Sequence, residues 1–250
     1  MEQTVINELK QLKAEERYPS TKVAVAMSGG VDSSVAALLL KKAGFDVIGI
    51  FMKIWDAPEG DDAGGKKTCC SLEDSFDARR VARILDIPFY VLDVKSVFEA
   101  SVINYFVAEY LQGRTPNPCI KCNESIKFQF FLERMLALEI AWMATGHYAR
   151  ISSDHELKRY QLLKGRDPHK DQSYFLFSLQ ASQLARTIFP VGGLTKPEVR
   201  AIAEKAGLPT SQKQESQEIC FVPDNDYQHF IQQKIGKELP SEGDIINDSG

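Results

Sequence analysis

No apolar run in the sequence approaches the roughly 18 residues that a membrane-spanning helix needs, so no membrane partner is expected. The N-terminal stretch carries Glu2, Glu8, Glu15 and Glu16 and has no apolar core. That argues against a secretory signal or a transit peptide and for a cytoplasmic protein. Val5, Ile6, Leu9 and Leu12 have instead the spacing of a short amphipathic helix. Cysteines are few and odd in number, five in all. With no leader, this argues against a disulfide framework and favours thiol chemistry or metal binding. Neither sign of charge dominates: the net charge is −4, so composition does not point to nucleic acid. There is no internal repeat and no low-complexity tract. What remains is ordinary for a globular chain, 44% hydrophobic and 26% charged. At 250 residues it can hold a large α/β domain and a smaller region.

Two further absences define the main motif. Ser28-Gly29-Gly30-Val31-Asp32-Ser33-Ser34 follows the apolar run Val23-Ala24-Val25-Ala26-Met27 and precedes Val35-Ala36-Ala37-Leu38-Leu39-Leu40. The order reads as strand, glycine turn, helix. Such a turn aims backbone N–H groups and a positive helix end at one spot, which suits phosphate. Ser33 or Ser34 is expected to cap the helix. No lysine closes the loop, which excludes a Walker loop, and no third glycine completes a dinucleotide fingerprint. Asp32 inside the loop makes sense if it holds Mg²⁺ beside phosphates.

Further on, 47–52, 89–92 and 141–145 read as strands, and 97–111 and 127–138 as helices. Ser71 and Asp74 form a capping box opening a helix to about residue 85, and Thr195 and Glu198 another, opening a helix that ends near Gly207. Residues 113–123 read as a loop with two prolines, 56–67 as an acidic glycine-rich loop, and 148–164 as a hairpin. Strands alternating with helices imply α/β architecture, a parallel sheet with helices on both faces. Ligands then sit at the carboxyl ends of the strands, which groups the glycine loop with Met52 and Gly146-His147.

The second motif is Thr115-Pro116-Asn117-Pro118-Cys119-Ile120-Lys121-Cys122-Asn123. Its C-x-x-C spacing serves zinc, iron–sulfur clusters and redox pairs. No second C-x-x-C exists, so Cys220 is the obvious third thiol, and the vicinal pair Cys69-Cys70 suits no common metal site. Basic residues crowd Lys158, Arg159, Lys164, Arg166, His169 and Lys170, followed by Arg186, Lys196, Arg200, Lys205 and Lys213. They fit either a phosphate-binding face or a solvated face of mixed charge.

The glycine loop resembles the PP-loop of the ATP pyrophosphatases, which cut ATP between the α and β phosphates. Five segments together resemble the tRNA-specific 2-thiouridylase family (MnmA/TrmU): residues 26–33, the T-P-N-P-x-x-x-C-N segment ending at Cys122-Asn123, Ala144-Thr145-Gly146-His147-Tyr148, Lys170-Asp171-Gln172-Ser173-Tyr174-Phe175-Leu176, and the segment around Cys220. The resemblance implies an adenine nucleotide alpha hydrolase-like domain over residues 1–186, with 209–225 returning Cys220 to it. A small, mainly helical tRNA-binding region would occupy 187–250, stopping where a β-rich domain begins. ATP would meet Ala26, Met27, Ser28, Gly29, Gly30, Val31, Asp32, Ser33, Met52 and Gly146. tRNA would meet Asn117, Pro118, Cys119, Lys170, Asp171 and Gln172. The resemblance further implies adenylation of the C2 carbonyl of a wobble uridine. Sulfur would come from a Cys220 persulfide loaded by a sulfur donor protein (a cysteine desulfurase or relay), with Cys122 as partner nucleophile closing a disulfide. Where one branch of the family has an aspartate, this chain has Cys119. Cys119, Cys122 and Cys220 are thus also candidate ligands of a [4Fe–4S] cluster. A PP-loop amide ligase explains the loop but leaves the thiols idle. A sulfur-carrier module with a regulatory ATP site is the third reading.

Overall fold

Val23 and Val25 face one side of strand β1 (Lys22–Ala26), Ala24 and Ala26 the other, and both sides pack into apolar clusters. A strand buried on both faces belongs inside a covered sheet. In a computed structural model, which describes residues 1–14, 21–54, 72–154, 159–214, 219–222 and 226–236, β1 is that interior strand. Helix α1 (Glu2–Ala14) precedes it and buries Val5, Ile6 and Leu9, as their spacing predicts. After β1 come α2 (Val31–Lys42), β2 (Asp46–Lys53), α3 (Leu72–Ile84) and β3 (Phe89–Asp93). Gly44, at φ +85°, ends α2: its N–H bonds the Lys41 carbonyl while the Phe45 N–H bonds that of Leu40, closing a Schellman turn.

The helix predicted over 97–111 is a continuous run: α4 (Lys95–Phe98), a π-type stretch Glu99–Ile103, and α5 (Asn104–Leu111). Residues 118–123, expected as loop, are instead helical. Helix α6 (Pro118–Cys122) runs through a π-type stretch Asn123–Phe131 into α7 (Leu132–Ala137). Asn117 caps it, its Oδ1 accepting the Ile120 N–H at 3.2 Å, and Pro118 occupies the first helical position. Proline there gives up an N–H that had no partner to lose.

Strand β4 (Trp142–Ala144) follows, then the hairpin β5 (Ala149–Asp154) and β6 (Arg159–Lys164), a 3₁₀ turn Ser173–Leu176, α8 (Ala181–Leu184) and β7 (Thr187–Ile188). The five-stranded sheet has the order β3-β2-β1-β4-β7, all neighbours parallel. The chain walks outward from β1 one way and then returns to its other side, so the crevice between β1 and β4 is the switch point where such sheets bind ligands. Helix α9 (Lys196–Lys205) opens with the predicted Thr195–Glu198 capping box, and α10 (Tyr227–Ile235) follows.

The expected division at 186/187 does not fall on a break in the core. Thr187–Ile188 extends the main sheet. Ile188, Val191, Leu194, Val199, Ile202 and Ala203 join the same cluster as β1 and α2. The capping box at Ser71, the loop 56–67, Cys69, Cys70 and the stretch after 236 lie outside the described residues.

Candidate active site

β1 ends at Ala26, and Met27 still donates its N–H to the Ile50 carbonyl at 2.8 Å. The chain then turns through Gly29, at φ +74°, where a Cβ would stand 2.3 Å from the Asp74 carbonyl oxygen. Only glycine fits both the left-handed backbone and the contact with α3. The expected cap is corrected: Gly30 is the N-cap of α2 and no side chain caps it. Ser33 and Ser34 lie inside the first turn, and their hydroxyls donate back to the Gly30 carbonyl at 3.2 and 2.8 Å. Ser33 Oγ also accepts the Ser28 N–H at 3.2 Å, so the hydroxyls brace the turn.

Beside this turn, at the switch point, lies a cavity of about 450 Å³. Ala26, Met27, Ser28, Asp32 and Ser33 form one side, with Met52 from β2 and Gly146 from the segment after β4. Gly29, Gly30 and Val31 shape the turn without lining the cavity. Gly146 presses on the helix start, and a Cβ there would lie 2.6 Å from the Ser33 nitrogen and 2.7 Å from the Asp32 carbonyl carbon. Pro118, Cys119, Cys122 and Cys220 line the same cavity. Cys119 and Cys122 project from α6, one turn apart. Cys220 is held by its neighbour: Phe221 is buried, its ring 5.7, 5.1 and 5.4 Å from those of Phe98, Phe106 and Phe230. Residues far apart in sequence, the glycine loop and three thiols, thus share one cavity.

The magnesium expectation for Asp32 does not fit this arrangement. Lys196 Nζ lies 2.7 and 2.8 Å from its two carboxylate oxygens, and Tyr148 donates its hydroxyl to Oδ1 at 2.7 Å. Nor do the thiols form a cluster site: among the described residues no three His, Cys, Asp or Glu side chains gather as a metal-holding group.

Of the expected tRNA contacts, Pro118, Cys119 and Gln172 line the cavity, while Asn117, Lys170 and Asp171 do not. Asp171 serves its own loop, accepting N–H groups from Gly165 and Ser173 and the Ser173 hydroxyl. Burial works against its charge, but these bonds outweigh it and hold its pKa below the usual range. The basic stretch is partly internal too: Arg166 pairs with Glu198, Lys196 with Asp32, and Lys213 with Asp74 and Asp77.

The sequence reading placed His147 on the rim without a role and gave Thr145 and Phe175 none. Thr145, His147 and Phe175 line the cavity, and the His147 ring lies 6.0 Å from that of Phe189. His147 Nδ1 is 2.7 Å from Thr145 Oγ1. Burial, then the nearby Lys127 charge, pushes its pKa well below the ordinary histidine range. Lys196 was read only as one of the basic residues at a helix start, which says nothing of a partner in the glycine loop.

The chain is 56% identical to the tRNA-specific 2-thiouridylase MnmA of Geotalea uraniireducens over 92% of its length, and 52% identical to that of Heliobacterium modesticaldum over 91%. It spans 61% and 59% of the length of those curated relatives. In fold it resembles NMN synthetase from Francisella tularensis, with a TM-score of 0.52 at 18% identity, covering 96% of this chain and 87% of that one. No helix among the described residues is long and apolar enough to cross a membrane. The family described as the tRNA methyl transferase HUP domain matches residues 21–224, and the chain belongs to it.

Proposed function

We propose that the chain carries out ATP-dependent 2-thiolation of a tRNA wobble uridine. One observation supports this above all: the glycine loop and the thiols of Cys119, Cys122 and Cys220 line a single cavity. An amide ligase has no use for that juxtaposition.

In this reading ATP lies against the loop, with Met52 and Gly146 beside it. The uridine is flipped from its strand to reach the cavity, near Pro118 and Cys119. Its O2 attacks the α-phosphorus, and the α–β bond breaks to release pyrophosphate. The terminal sulfur of a Cys220 persulfide, loaded by a donor protein, adds to C2, and the C2–O bond breaks with departure of AMP. The Cys122 thiolate then attacks the Cys220 sulfur. The S–S electron pair stays with the sulfur on C2, leaving 2-thiouridine and a Cys122–Cys220 disulfide. A dithiol reductant supplies the two electrons that reset the pair. No step here is routed through a metal held by Asp32 or by the thiols.

The test is incubation with ATP, Mg²⁺, a sulfur source and unmodified tRNA, followed by nucleoside mass analysis. The wild type forms 2-thiouridine; Cys122→Ser and Cys220→Ser do not. An amide ligase would survive both changes.

A further inference from the structure

Three thiols line the cavity, and the reaction above uses Cys122 and Cys220 but leaves Cys119 without a task. Their surroundings differ. Cys122 and Cys220 are half-buried and both pack against the apolar cluster around Phe98, Phe106 and Phe221. Cys119 is exposed. A disulfide between Cys122 and Cys220 would therefore be sheltered on the cluster side. Thiol–disulfide exchange needs a thiolate to reach one of the two sulfurs, so its rate depends on access. A bulky protein dithiol reaches a half-buried bond slowly. Cys119 is already in place, three positions before Cys122 in α6. That spacing puts both side chains on one helix face. It holds their Cα atoms about 5 Å apart, within the span of a disulfide.

We propose that Cys119 is the resolving thiol of the site. It carries the disulfide from the sheltered Cys122–Cys220 position to an exposed Cys119–Cys122 position, where a protein dithiol reduces it. This rests on the thiolation reading above. The Cys119 thiolate attacks Cys122 Sγ; the Cys119–Cys122 bond forms and the Cys122–Cys220 bond breaks. The electron pair of the broken bond leaves with Cys220 Sγ, which takes up a proton from solvent in place of the one Cys119 gave up. The exchange has no net oxidation or reduction. The dithiol then supplies two electrons and two protons, becomes a disulfide itself, and returns Cys119 and Cys122 as thiols. Cys220 is free before that reduction, so its reloading with persulfide does not wait for the reductant.

The experiment follows the disulfide itself. Persulfide-loaded, desalted protein is given ATP, Mg²⁺ and unmodified tRNA without reductant, then quenched in acid and alkylated. Linked peptides are mapped by mass, and nucleosides are assayed for 2-thiouridine. Wild type ends with Cys119 linked to Cys122 and with Cys220 alkylated. Cys119→Ser stops with Cys122 linked to Cys220. A protein dithiol of the C-x-x-C type is then added and free thiols are counted over time. Wild type reopens at least about tenfold faster than Cys119→Ser, because the attacking sulfur is held beside its target. Dithiothreitol, small enough to reach the sheltered bond, narrows that gap. If wild type forms 2-thiouridine yet keeps a Cys122–Cys220 disulfide, or reopens no faster than the variant, this inference alone falls. If Cys119→Ser forms no 2-thiouridine, the wild-type map decides. 2-Thiouridine with no disulfide anywhere removes both the inference and the Cys122 step of the reaction. Failure of wild type to form 2-thiouridine removes the thiolation reading itself.

Discussion

Lys196 places its ammonium between the two carboxylate oxygens of Asp32, at 2.7 and 2.8 Å, across 164 positions of sequence. The glycine loop has no lysine of its own, yet a lysine stands at its carboxylate, delivered by the first turn of α9. The Lys196 side chain is 9% exposed and that of Asp32 27%. The pair ties the glycine loop to the segment that follows the last strand.

A pair so placed is sensitive to losing one member. Lys196→Met and Asp32→Asn should each cost about 1–3 kcal/mol, below the full cost for a sealed pair because Asp32 keeps some solvent. The double variant should cost less than the sum, with a coupling of about 1–2 kcal/mol. Urea unfolding of the four proteins measures this. Additive losses would show that the two side chains do not act as a unit.

Gly146 makes a backbone-to-backbone contact that no side chain can relieve. Gly146→Ala forces a Cβ to within 2.6 Å of the Ser33 nitrogen. Overpacking of this kind costs about 1–3 kcal/mol. Because the contact is with the helix start beside the glycine turn, ATP affinity by calorimetry should fall at least about tenfold. Gly193→Ala, whose Cβ would meet nothing nearer than Val5 Cγ2 at 3.7 Å, is the control and should bind as wild type.

These contacts mark the line between what was legible in the sequence and what was not. The strand–turn–helix order and the capping box at Thr195 are local, and each was read from neighbouring residues. So was the rim of strand ends, since parallel topology dictates it. The α6 helix was misread although Asn117 and Pro118 spelled an N-cap and a first helical residue, because two prolines outweighed them. Ser33 and Ser34 were misread as caps because Gly30 already fills that position. The Asp32–Lys196 pair was beyond reach. It depends on how α9 docks, and no local pattern encodes that.

Lys213 bonds both Asp74 and Asp77 of α3, at 2.7 and 2.6 Å, and lies in the segment leading to Cys220. Burial opposes its charge, but the two carboxylates outweigh burial and raise its pKa above 10.5. Its contribution is therefore complete at neutral pH and is lost only as pH rises through that raised value. Lys213→Met should cost about 1 kcal/mol in urea unfolding. By removing an anchor seven positions before Cys220 it should also speed iodoacetamide labelling of Cys220 by roughly three- to tenfold at pH 7.5. Peptide mass mapping reads the labelling directly; an unchanged rate would mean that Phe221 alone holds the cysteine.

His147 gives a pH signature of its own. It is neutral when folded, its pKa pushed well below 6.5 by burial and then by Lys127. The unfolded chain takes up that proton near pH 6.5 while the folded chain does not. Between those two values the unfolded state binds more protons, so stability falls as pH drops below about 6.5. The slope approaches at most about 1.4 kcal/mol per pH unit. The carboxylates with lowered pKa, such as Glu198 and Asp171, act only below their unfolded values of 4.5 and 3.8. The window from pH 6.5 to 5 lies above those carboxylate values and is where His147 contributes. Urea unfolding across that window should show the slope in wild type and a flatter line in His147→Gln, whose amide keeps a polar contact for Thr145 without a titrating proton. Equal slopes in the two proteins would mean that His147 takes up its proton as readily folded as unfolded, and that the wall around it admits water.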